Sequence, residues 1–340
     1  MSSTPANGSA AAYGGSSAQI KTIASLGGVS LERGVSVDEI HDYIRDPGNV
    51  IWVDVRNPGA AELATLEEEF GFHPLALAGA AQGPPRPRLD EYKAYLLLAV
   101  CAATPGGPPR ELWSEGVYLL IGRNYVVSIH RGHVPALDEA VLRWTRGGSK
   151  LRDGVGFLVY TVLDALLDSY VPLMQEIEGE IDETEIAMLG INDDQGVRRL
   201  LRLRRTLAEL RRELQPLREI FQGLLRRDNP FFLSNSEVYL RDVSNRVLRL
   251  LDVLETEREM AAGALEASLT VSSNRLNKTM KTLAVITVSV AVVASVFGAY
   301  GMNFTALPLA TSPWGFWVVS LGTIGAVAAA IVIGRARGWW

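Results

Sequence analysis

"YGMNF", residues 300–304, stands between two long stretches that carry no charge. No Asp, Glu, Lys or Arg occurs between Lys281 and Arg335. Within that window, Thr282–Tyr300 and Trp314–Gly334 are apolar runs, each longer than the ~18 residues that mark a membrane-crossing helix. They read as two spans joined by loop 301–313. Gly301 is expected to end the first helix through backbone angles that other residues avoid. Asn303 then places an uncharged amide oxygen at the membrane surface.

Charge fixes the expected orientation. Arg275, Lys278 and Lys281 precede the first span, Arg335 and Arg337 follow the second, and the loop has no charge. The positive-inside rule puts both termini in the cytoplasm and the loop outside. Trp314, Trp317, Trp339 and Trp340 suit interfacial anchors. The first 20 residues lack a basic region and an apolar core; their Ser, Gly and Ala read as a disordered tail, not a signal peptide. Cys101 is the single cysteine, which excludes an internal disulfide, and a net charge of -5 argues against nucleic acid as a partner.

Upstream of the spans the pattern changes twice. Between residues 21 and 150, "VIWVDV" (50–55), "AYLLLAV" (94–100), "GVYLLIG" (116–122) and "NYVVSIH" (124–130) are short runs rich in Val, Ile and Tyr. They read as strands, with helices near 36–45, 59–70 and 134–145, giving an α+β (mixed α/β) domain. From 151 to 281 the periodicity is helical. Six acids fall in residues 176–185 and, after "GINDDQG", seven arginines fall between 198 and 212. An acidic and a basic helix in sequence suggest an antiparallel hairpin that exchanges salt bridges. No proline occurs from Phe231 to Leu307, so one helix can run from near Glu237 through the first span, roughly 90 Å at 1.5 Å per residue.

The first span has one side of small or polar residues at helical spacing: Asn277, Met280, Ala284, Thr287, Ala291, Ala294 and Gly298. Such a side packs closely on protein or faces water. A carboxylate at its end would hold a divalent cation tightly; the amide of Asn303 offers a dipole, suited to an ion that keeps its water, as Mg²⁺ does. One asparagine cannot encircle an ion, so conduction requires several copies around an axis.

These residues resemble the CorA family of divalent-cation channels, in the two-span GxN superfamily. "YGMNF" between two C-terminal spans and "SNRLNKTMKTL" (273–283) carry the likeness, together with "HPLALAG" (73–79), "PRPRLDEY" (85–92) and "YLRDVSN" (239–245). The resemblance implies a homopentameric funnel: a cytoplasmic α+β domain, a helical hairpin, a long stalk helix and two transmembrane helices. It implies a selectivity filter of Gly301, Met302 and Asn303, and a pore lined by Asn277, Met280, Leu283, Thr287, Ala291 and Ala294, with Leu283 replacing the Ala284 that spacing selects. The ion is cargo, with no cofactor, and the setting is a bacterial inner membrane.

Departures from the family pattern shape the expectations. The resemblance implies a closing Mg²⁺ site between Asp242 and an aspartate whose position here is Gly79; a further acid is replaced by Asn245. Closure by internal Mg²⁺ should therefore be weak or use other residues. The outer loop "ALPLATSP" has no acid, which weakens attraction at the mouth, and Val292 stands where the family often has proline. A proton-coupled Zn²⁺ transporter of the same superfamily is thus the alternative. Enzyme chemistry has little support: the chain has neither GxxxxGK[ST] nor GxSxG. His130 and His133 read as solvated residues in a strand-end turn, His41 as isolated, His73 as part of a helix start, and Cys101 as a buried small residue.

Overall fold

The structure, a computed structural model, describes residues 18–80, 86–104, 113–188, 194–226, 231–232, 236–302, 308–309 and 312–337. Seven strands are β1 (Gln19–Leu26), β2 (Ser30–Arg33), β3 (Val50–Arg56), β4 (Arg88–Glu91), β5 (Leu96–Thr104), β6 (Trp113–Ile121) and β7 (Tyr125–His130). Their helices are α1 (Ile40–Arg45), α2 (Ala60–Phe70), α3 (Pro74–Ala80), α4 (Pro135–Thr145), α5 (Val155–Asp168), α6 (Tyr170–Met188), α7 (Asp194–Arg226), α8 (Glu237–Tyr300) and α9 (Gly315–Ala336). They divide into two units, one ending at Ala262 and the other taking in Gly263 onward with Met188–Asp193.

The four apolar runs of the sequence form the middle of one sheet, ordered β2-β1-β3-β7-β6-β5-β4. Only β3 and β7 pair in parallel, with Val53 opposite Val127; the other neighbours are antiparallel. Alternation sends Val53 and Val55 into a core with Leu66, Phe72, Leu77, Tyr95 and Leu97. Trp52 faces the other way and meets Trp144 of α4 edge to face, with ring centroids 6.1 Å apart. Burial on both faces explains why β3, β5 and β7 read as continuous apolar runs. The strands β1, β2 and β4 escape sequence reading: β2 and β4 have four residues each, mostly charged or half-exposed. β1 begins at Gln19, two residues inside the stretch expected to be a tail; residues 1–17 lie outside the described residues.

Among the described residues, three helices beyond the sheet are long and apolar enough to cross a membrane, one more than expected. The third is the α5–α6 stretch, Val155–Met188, and 67% of its apolar window is buried inside the protein. Its apolarity serves the core. Gly156 lets α5 meet the residue before α8: a Cβ there would stand 2.0 Å from Ser236 Oγ. Arg143 of α4 and Arg246 of α8 converge on Asp164 and Asp168 of α5, with Arg143–Asp168 at 2.7 Å and Arg246–Asp164 at 2.8 Å. The expected hairpin partners exchange charge at Arg199, which lies 3.5 Å from Glu180 and 3.3 Å from Glu183. Arg211 of α7 reaches instead to Glu255 of α8, at 2.9 Å. Of the turn expected at 190–196, residues 190–193 lie outside the described ones, and Asp194–Gly196 already belong to α7.

One local expectation needs correction. His130 is 4% exposed, so it is not a solvated histidine; its ring lies 3.3 Å from Asp54, which also accepts a bond from Ser128 at 2.5 Å. The strand, alternating inward, carries His130 into the domain. His133 is exposed, 3.5 Å from Asp138. His73 does start a helix, accepting from the Leu75 amide at 3.2 Å. Cys101 is buried in β5, and burial pushes its thiol up to about 12, which leaves it inert at neutral pH.

Candidate ion path and its surroundings

α8 is continuous for 64 residues, as the absence of proline foretold. In its membrane-length part, partial cover falls on one stripe: Val285, Ser289, Val293, Val296 and Tyr300. Steps of three and four keep these residues on a single side. Asn277, Met280, Leu283, Thr287, Ala291 and Ala294 are all exposed, and the helical repeat places them roughly opposite the covered stripe. All six predicted lining positions therefore share one helix side. Ala284, the choice from spacing, is exposed as well. Thr287 turns its hydroxyl back to the Leu283 carbonyl at 2.9 Å, so this polar group is satisfied within the helix.

The helix end differs from expectation. Gly301 donates to the carbonyls of Phe297 and Gly298, at 3.0 and 3.1 Å, and Met302 donates to Ala299 at 3.3 Å. These bonds tighten the last turn without a left-handed residue, and Gly301 is not among the positive-φ glycines. A Cβ at Gly301 would meet only ordinary contacts, at 3.5 Å or more. Within one chain, neither backbone strain nor crowding demands glycine at this exposed position. Asn303 lies outside the described residues. Beyond it, Tyr300 donates its hydroxyl to the Pro308 carbonyl at 2.9 Å, which ties the loop to the helix end. The loop then turns at Leu309, whose φ of 62 is rare for a non-glycine, and its carbonyl packs so closely on Gly315 that a Cβ there would sit at 1.9 Å.

α9 exposes most of its surface, including Trp314 and Trp317 at its start; Trp339 and Trp340 lie outside the described residues. The remaining predicted site residues are in the first unit. Asp242, partly exposed on α8, accepts from the Tyr160 hydroxyl at 3.2 Å. Asn245 is exposed one turn further on. A Cβ on Gly79 would face the Arg88 guanidinium at 3.5 Å, so a cationic group stands beside the position where the resemblance implies an acid. Among the described residues no three His, Cys, Asp or Glu side chains gather as a metal site.

Sequence reasoning missed two features of this region. One is Tyr160, which occupies Asp242 and whose own hydroxyl is pushed up to about 12, by burial first and then by the acids Asp164 and Asp242. The other is Glu257, 4% exposed on α8, with an oxygen that has no partner among the described residues. Burial raises its pKa, and Glu178 and Asp182 of α6 add to the rise. Its position, two residues past Glu255 on a helix with mixed faces, gave no signal in the sequence.

The family model described as a CorA-like Mg²⁺ transporter protein matches residues 47–334. The cobalt/magnesium transport protein CorA of Thermotoga maritima is 30% identical over 292 residues, 85% of this chain and 83% of that one. The solved structure of the complete CorA magnesium transporter from Methanocaldococcus jannaschii is similar with a TM-score of 0.77 and 25% identity, covering 94% of this chain and 98% of the other. The zinc transport protein ZntB of Pectobacterium atrosepticum is 23% identical over 269 residues, 78% of this chain and 77% of that one. With its mixed sheet, its continuous 64-residue helix and its C-terminal apolar pair, the chain belongs to the CorA-like Mg²⁺ transporter family, as a membrane transporter of divalent cations and not an enzyme.

Proposed function

We propose that the protein is a passive channel for Mg²⁺, with Co²⁺ and Ni²⁺ as related cargo, in a bacterial inner membrane. Copies of α8 surround an axis as a homopentamer, both termini are cytoplasmic, and loop 301–313 faces outward. The domain layout would be a tail (1–20), a cytoplasmic α+β domain (21–150), a hairpin and stalk (151–281) and a two-span membrane part (282–340). One observation carries the reading: the exposed side of α8 holds the uncharged stripe that ends at Gly301-Met302-Asn303, opposite the side that is covered. A side of small and polar residues packs closely on protein or faces water, and copies of itself would cover it.

Gly301, Met302 and Asn303 serve as the filter, with the Asn303 amide oxygens holding the hydrated ion at the mouth. The stripe from Asn277 to Ala294 lines the path. Inward movement of a divalent ion through 100 mV releases about 4.6 kcal/mol, twice the ~2.3 per unit charge, and that drives accumulation without ATP. Asp242, with Gly79 and Asn245 in place of further acids and with Tyr160 bonded to it, offers a weak closing site for internal Mg²⁺.

The test is ion entry into proteoliposomes holding the purified protein, with a Mg²⁺-sensitive dye, an imposed potential and an Asn303→Ala control. Voltage-dependent Mg²⁺ entry that ignores a proton gradient and disappears in the variant is the expected result. The acid-free outer loop and the likeness to ZntB favour a second reading, a proton-coupled Zn²⁺ transporter. Zn²⁺ entry only alongside protons, with no Mg²⁺ signal, would establish that reading instead.

A further inference from the structure

In the first unit, α6, α7 and the early part of α8 carry opposite charge on two flanks. On α6, Glu178, Asp182 and Glu185 lie at spacings of four and three, exposed, with no ion pair among the described residues. Glu178 and Asp182 crowd Glu257 of α8. On the other flank, a groove of about 510 Å³ runs between α7 and α8, lined by Leu201, Arg204, Arg205 and Ala208 on one side and by Glu255, Arg258, Glu259 and Ala262 on the other. Glu255 is already neutralised by Arg211 at 2.9 Å and Arg258 at 2.8 Å. Arg204 and Arg205 are exposed and make no ion pair among the described residues. With Arg204, Arg205 and Arg258 set against Glu255 and Glu259, the lining keeps one net positive charge on apolar footing.

We propose that the α7–α8 groove, through Arg204 and Arg205, receives the acidic stripe Glu178, Asp182 and Glu185 of α6 from a second copy of the chain. This rests on the oligomer of the proposed function. Level and direction support the pairing. The acidic stripe lies beside Glu257, while the groove's α8 wall runs from Glu255 to Ala262, so both are within about a turn of one level on α8. Residues 255 and 257 point about 160° apart around that helix, so the flanks face away from each other. Two complementary surfaces on opposite flanks and at one level make a head-to-tail contact that closes into a ring without climbing. The stripes also match in length, since 178–185 and 201–208 each span seven steps, roughly 10 Å. A metal ion is a poorer occupant for the acidic stripe, because no three ligating side chains converge there among the described residues.

The full-length protein in detergent tests this, with Glu185→Cys and Ala208→Cys introduced together and the buried Cys101 left in place. Oxidation should give a ladder of covalent multimers, and each single-cysteine variant should give none. Arg204→Glu with Arg205→Glu should abolish the ladder, and adding Glu178→Arg with Asp182→Arg should restore it. Light scattering on the same samples separates the two proposals. Oligomers without a ladder, or a ladder that ignores the charge reversals, would overturn the interface while leaving the oligomer standing. Monomers throughout would overturn both.

Discussion

At residue scale, the glycine of the proposed filter is the clearest puzzle. Gly301 has an ordinary backbone and open space around it within one chain, so Gly301→Ala should leave the fold intact. Removing a glycine from a helical turn changes stability by less than about 1 kcal/mol, in the stabilising direction. We expect a thermal midpoint equal to or above the parent's, together with loss of Mg²⁺ entry, because the methyl group would narrow a mouth formed by neighbouring copies. Equal flux in the variant would remove Gly301 from the filter.

Glu257 makes a second residue-scale prediction. Its folded pKa is raised, by burial first and then by Glu178 and Asp182, above the ~4.3 of an unfolded glutamate. The native protein therefore binds more protons than the unfolded chain in the window above about pH 4.3, and stability falls as pH rises through the folded value. Glu257→Gln removes that loss. Denaturation midpoints between about pH 5 and 8 should be flatter for the variant and higher at the neutral end, with the difference closing near pH 4.

At element scale, α5 holds the first unit together through a glycine contact and a charge cluster. Gly156→Ala would put a methyl group inside Ser236, a short side chain with little room to yield, and overpacking of this kind costs about 1–3 kcal/mol. Arg246→Met strips one arginine from Asp164, whose side chain is 12% exposed, and from Asp168 at 31%. The expected cost is about 2 kcal/mol, between an exposed pair and a fully buried one, read as a lower urea midpoint with an unchanged slope. Both elements involved were legible in the sequence, α5 from its apolar stripe and α8 from its lack of proline. Their contact was not, because Gly156 and Ser236 are 80 positions apart and neither carries a local signal. The α6–α7 hairpin was legible as an acidic run and a basic run, and Arg199 joins them, whereas Arg211 serves α8.

At the scale of the whole molecule, the proposed channel and the proposed ring make one joint prediction. Raising ionic strength screens exposed charge pairs within a Debye length of about 3 Å at 1 M salt, so the head-to-tail contact through Arg204 and Arg205 should loosen. The uncharged stripe of α8 should hold. High salt in detergent should therefore weaken cross-linking through the soluble flanks without dissociating the membrane part, measured by light scattering.

The sequence by itself determined the two apolar spans, the continuity of α8, the four central strands and the Gly-Met-Asn end, because each is a local pattern of hydrophobicity, turn chemistry or missing proline. Only the tertiary structure decided that the third apolar helical stretch belongs to a soluble core and that His130 turns inward to Asp54. It also decided that Gly301 ends α8 without a left-handed turn, and that Glu257 sits buried beside two further acids. Apart from the end of α8, which is set by backbone bonds within four residues, those outcomes depend on which surfaces meet across tens of residues, and no window of sequence records a neighbour that far away.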